Sequence, residues 1–193
     1  MYDEASLLSR LEKLNRASRT TFAAVCAERL WPILLRYGHT TGIAAVERQK
    51  LSDSLEDLWR AISGDEVTLQ ELSSDHAGEV PEEEWADQLA YGENLSAAVT
   101  YAVRAWVRDS AQDAAWAAYQ CYEAADFAAQ RITPPKGDNR DEDERVLFES
   151  DVVQTAVLAM ERDLSTLEQM SLSPRQIRER AQAEGAKWCS SFP

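Results

Sequence analysis

Apolar residues recur every third or fourth position along most of this chain, and nowhere does an alternate-residue pattern persist; that periodicity is what most restricts the fold. Leu7, Leu8, Leu11 and Leu14 share one face of a predicted helix over about 3–14. A second helix follows Ser18 as candidate cap and stops at Tyr37, before Gly38. After Thr40 and Thr41, a third runs from about Ile43 to Ile62 with an inward stripe of Leu51, Leu55, Leu58, Trp59 and Ile62.

Residues 65–90 mix helical turns with Gly78 and Pro81 and read as an acidic, irregular connection. Two alanine-rich segments, about 93–108 and 110–131, form the expected central pair, separated near Asp109 by a break or a kink. Residues 132–143, with "TPPKGDNRDEDE", read as a loop. A long helix over about 144–170 follows, lined by Leu147, Val153, Val157, Met160, Leu164 and Leu167. Ser173 and Pro174 open a last helix, which is expected to end near Gly185.

The predicted fold is therefore all-α: a single-domain helical bundle of about six to eight helices, without a sheet, over residues 1–193. The length of 193 residues and the 45% hydrophobic content with six tryptophans suit one core.

The stretch "FAAVCAERLWP" places Phe22, Cys26, Glu28, Arg29 and Pro32 inside the second helix. Pro32 has no N–H for the carbonyl of Glu28, so a bend is expected there. Cys26 as a nucleophile would need a base, and His39 and His76 are the only histidines; His39 lies several turns further along the axis. The motif reads as a packing device, with Glu28 and Arg29 pointing in different directions.

Carboxylate pairs such as Glu123 with Asp126, and Glu161 with Asp163, lack the Glu-x-x-His spacing of bundle metal sites and read as solvated or paired to Arg131 or Arg162. Phosphate-binding glycine loops and the nucleophile elbow are absent from the sequence. No cofactor, no metal and no catalysis are expected.

Cys26, Cys121 and Cys189 are odd in number and lie outside any C-x-x-C pairing, consistent with reduced thiols. The first residues alternate apolar and charged side chains, and no stretch approaches a membrane span, so a cytoplasmic protein is expected.

The net charge is −14. Residues 1–60 are nearly balanced, whereas residues 61–103 hold ten acidic side chains and no lysine or arginine. Such a field repels phosphate backbones and anionic lipid, which argues against nucleic-acid or membrane binding and for a basic protein partner. Within "EVPEEEWAD", Glu79, Glu82, Glu83, Glu84 and Asp87 surround Trp85, the composition of an epitope for such a partner, although a solvated loop has the same look.

"RLEKL", "FAAVCAERLWP", "TTG" and "LEDLW", in that order, resemble the YjaG-like family of uncharacterised bacterial proteins, the domain of unknown function 416. The similarity continues through "YGENLSAAVTYAV" and "AMERDLSTLE". The resemblance implies an all-helical cytoplasmic domain and carries over no catalytic residues.

The leading expectation is a non-catalytic acidic binding protein, an immunity protein that neutralises a cognate bacterial toxin, a nuclease being one candidate. The rival is a housekeeping helical scaffold acting as a homodimer. An enzyme dependent on Cys26 or Glu28 ranks last.

Overall fold

The computed structural model describes residues 2–37, 45–69, 86–134 and 140–193, and of residues 86–90 the backbone alone. Eight helices make up the described part: α1 (Glu4–Leu11), α2 (Arg16–Tyr37), α3 (Ala45–Ile62), α4 (Ala86–Val107), α5 (Ala111–Ile132), α6 (Arg140–Phe148), α7 (Asp151–Glu168) and α8 (Pro174–Cys189). There is no strand among the described residues.

α2 is the axis. Every residue from Thr20 to Leu30 is buried, so this helix is enclosed on all sides rather than along one stripe. α3, α4, α5, α7 and α8 all pack on it. Nine buried alanines on α5, from Ala111 to Ala129, remove side-chain bulk and let the helix lie close to its neighbours. α4 and α5 pack against each other across a connection of only three residues, as an αα-hairpin does.

Three helices stop by the same device. At the ends of α3, α4 and α7 the residue two past the last turn takes a left-handed conformation: Gly64 (φ 98°), Asp109 (φ 52°) and Met170 (φ 49°). In each, paired backbone bonds close the last turn, for example Gly64 N–H to Ala61 and Asp65 N–H to Arg60, or Met170 N–H to Leu167 and Ser171 N–H to Thr166. The separation at Asp109 is thus a full chain reversal and not a kink, with Ser110 accepting from the Asp113 N–H to start α5.

Several sequence-level expectations change. Asn15, not Ser18, caps α2, its Oδ1 accepting from the Ser18 N–H at 2.8 Å. Helix α1 ends at Leu11, before Leu14. The connection over 65–90 gives way to helix at Ala86, and the loop over 132–143 gives way at Arg140. The single helix over 144–170 is two, broken at Glu149 and Ser150, where the Gln154 amide donates to the carbonyl of Phe148 at 2.7 Å. α8 passes through Gly185 and continues to Cys189. Thr40, Thr41, His39 and His76 lie outside the described residues.

Candidate functional site

The stretch around Glu28 and Arg29 turns out to be the charged centre of the molecule. Both side chains are buried, and both face α8 from adjacent positions on α2. Glu28 is saturated with donors: the Trp59 indole and the Arg178 Nε each donate to Oε1 at 2.7 Å, and the Gln182 amide donates to Oε2 at 3.1 Å. Arg178 also reaches Glu56 at 2.6 Å, holding that carboxyl below its usual range through the hydrogen bond. The guanidinium lies over the Trp59 ring at 5.3 Å.

Arg29 pairs through Nη2 with Asp163, which is fully buried, and with Glu184 at 3.1 Å. Asp163 also accepts from Arg180 at 2.7 Å, and Glu184 pairs with Arg162 at 2.6 Å. Burial opposes the charged guanidinium of Arg29, but the carboxylates of Asp163 and Glu184 help outweigh it and hold it protonated. Asp163 is therefore neither solvated nor tied to Arg162, as its sequence neighbourhood suggested; Glu161 pairs instead with Arg10 on α1 at 2.7 Å.

Gly185 makes this seam close. A Cβ there would stand 2.8 Å from the carbonyl oxygen and 2.9 Å from the Cα of Arg29, so only glycine admits the contact between α2 and α8. At the end of α8 the Arg36 guanidinium donates to the carbonyls of Cys189 at 2.6 Å and Phe192 at 3.0 Å, a cation on a helix C-terminus.

The remaining members of the motif pack. Phe22 is fully buried, and Pro32 lies within α2, its carbonyl accepting from the Cys189 thiol at 3.4 Å. The Cys121 thiol donates to the Cys26 carbonyl at 3.1 Å. The neighbouring Cys121 thiol and burial push the Cys26 thiol well up, so it stays protonated. Glu28 and Cys26 are both buried.

Of the acidic epitope, Glu79, Glu82, Glu83, Glu84 and Trp85 lie outside the described residues, and Asp87 is placed only as backbone in the first turn of α4. A different acidic face is visible on α5 and α6. Glu123, Asp126 and Glu144 together push up the Tyr122 hydroxyl, after burial as the main cause. Burial, then the charges of Glu123 and Glu144, raise Asp126 despite its hydrogen bond from Gln130 at 2.6 Å. Hydrogen bonding to Glu123 pushes Tyr119 up to about 12. Most carboxylates on the other helices are matched to an arginine, whereas among the described residues neither Glu123 nor Asp126 has a basic side chain within 4.0 Å. Tyr2, Tyr119 and Tyr122 stack beside them, with Tyr2 and Tyr122 centred 4.8 Å apart.

No family model and no curated protein matches the chain. Among solved structures, a DUF416 family protein from Shewanella baltica OS155 superposes with a TM-score of 0.68 over 93% of each chain, at 13% sequence identity. The chain has a DUF416 fold. At that identity the likeness is one of architecture, and the DUF416 fold agrees with the all-helical bundle built from periodicity. Among the described residues of this DUF416-like bundle no helix is long and apolar enough to cross a membrane.

Proposed function

We propose that this chain is a non-catalytic acidic binding protein of the cytoplasm, an immunity protein that neutralises a basic cognate toxin by direct capture. The observation that carries the reading is the α5–α6 face, where Glu123, Asp126 and Glu144 raise one another's neighbours and two tyrosines lie among them. Glu144 is matched by Arg140 at 2.7 Å, but Glu123 and Asp126 have no basic side chain within 4.0 Å among the described residues; such carboxylates beside aromatic anchors are costly to hold together and are relieved by an incoming cationic surface. The acidic run of residues 61–103 adds to the same field, which steers association with a basic protein. A nuclease suits this chemistry because its own site is electropositive and carboxylates can imitate phosphates there. The saturation of Glu28 and the buried, protonated Cys26 thiol favour binding over catalysis.

The test is recovery of the tagged protein from its own cells across a salt gradient, with each co-eluting chain identified and assayed. A stoichiometric basic partner is expected, released by salt, inhibited in its activity by this chain, and lost with Glu123→Lys and Asp126→Lys together. Recovery of the chain alone, as a salt-insensitive oligomer, would overturn the reading and leave the homodimeric scaffold.

A further inference from the structure

A cleft of about 430 Å³ opens between α7 and α8, on α2's charged side, with Arg29 in its wall. Its other charged lining is Arg162, Lys187 and Glu184, so three cations face it against one carboxylate, in a chain whose net charge is −14. Glu184 already engages Arg29 and Arg162, but only through one guanidinium nitrogen of each. The Nε and Nη1 of Arg29 are buried and have no hydrogen-bond partner among the described residues, although the side chain is only 2% exposed. Lys187 has no carboxylate within 4.0 Å among the described residues. Those two Arg29 nitrogens are closed off from the cleft, so the donors it offers are those of Arg162, 49% exposed, and of the exposed Lys187. α7 adds apolar lining beside Arg162: Ala156, Ala159 and Leu158, the last of which is 63% exposed.

We propose that this cleft binds a small organic anion: an acidic head, carboxylate or phosphate, held by Arg162 and Lys187 in the field of the buried Arg29, and an apolar body against Ala156, Ala159 and Leu158. The volume lies in the range of small-molecule sites and exceeds what a bare oxyanion fills. A planar guanidinium and an ammonium match a head with several acceptor oxygens, and Arg162 is already held by Glu184 at 2.6 Å, which reduces the ordering needed on binding. The site lies apart from the α5–α6 acidic face and does not depend on the proposed toxin partner.

Isothermal titration with phenyl phosphate tests it, with benzoate as the carboxylate arm and inorganic phosphate as the bare head. Saturable binding of phenyl phosphate or benzoate is expected, and whichever is tighter identifies the head. Inorganic phosphate should bind more weakly than phenyl phosphate. Arg162→Gln with Lys187→Glu removes two exposed cations and leaves Arg29 in place; affinity should fall at least about tenfold while the helical signal and the thermal midpoint stay near those of the parent. Lys187→Glu alone, which leaves the Arg162 pair intact, should give part of that loss. The absence of saturable binding by either organic anion, equal affinity for inorganic and phenyl phosphate, or unchanged affinity in the double variant would each overturn the assignment.

Discussion

Met170 holds a left-handed conformation at φ 49° with its side chain 80% exposed, so it carries the steric cost of a Cβ there without a packing return. Met170→Gly should stabilise the fold by about 1 kcal/mol, seen as a raised denaturant midpoint at constant slope. Asp126 offers a pH-dependent counterpart. Its folded pKa lies above its unfolded one, so the native state holds the proton more tightly and its ionisation costs stability as pH rises through the folded value. Asp126→Asn should therefore raise the thermal midpoint at neutral pH, with the gain vanishing below the unfolded carboxyl pKa. Glu168 is its opposite: hydrogen bonding to Arg10 lowers it, so that clamp of α1 onto α7 stabilises above the unfolded pKa and is lost as pH falls through the folded one. None of these differences shows in residue type: Met170 depends on its own backbone, Asp126 and Glu168 on what another helix brings alongside.

At the scale of elements, α2 and α8 are locked by a close backbone approach and by charges. Gly185→Ala would drive a Cβ against the Arg29 backbone and should cost about 1–3 kcal/mol, where an alanine at most helix positions would stabilise. Arg29→Met leaves Asp163 buried with Arg180 alone and should cost about 3 kcal/mol or more; adding Asp163→Leu should restore much of that, because a matched apolar pair avoids desolvation. Urea unfolding of the two singles and the double measures the coupling. Local signals served the elements well where one helix face met the core: the α3 stripe of Leu51, Leu55, Leu58, Trp59 and Ile62 is buried as its spacing demands, and the Ser173–Gln176 capping box opens α8 with the N–H of Ser173 donating to Gln176 at 3.0 Å. They failed where meaning was non-local. Gly185 looks like a stop because glycine usually ends helices, yet here it admits a backbone whose residues lie far away in sequence. The break before α7 carries no glycine or proline, only a serine and a turn. Arg29 and Glu184 stand 155 positions apart, and no window of sequence pairs them.

The whole molecule is a helix wrapped by its neighbours, and the last helix completes the wrapping. A chain ending at Leu172 lacks Arg178 and Gln182 for Glu28 and Glu184 for Arg29, and it uncovers the buried face of α2. Such a chain should show no cooperative thermal transition, and a peptide of residues 173–193 added in trans should restore one, both readable by circular dichroism. The acidic face and the cationic cleft lie on different helices of one small bundle, the first on α5 and α6 and the second between α7 and α8.

The seam between α2 and α8 also sets an order in time. On a ribosome α2 emerges early, and at roughly 5–20 residues per second the segment that neutralises Glu28 and Arg29 follows on the order of ten seconds later. Until then the apolar middle of the most enclosed helix in the finished protein bears two charges whose partners on α8 have yet to emerge. Those charges keep it hydrated while it waits, and they become part of the interior only when the end of the chain arrives to meet them.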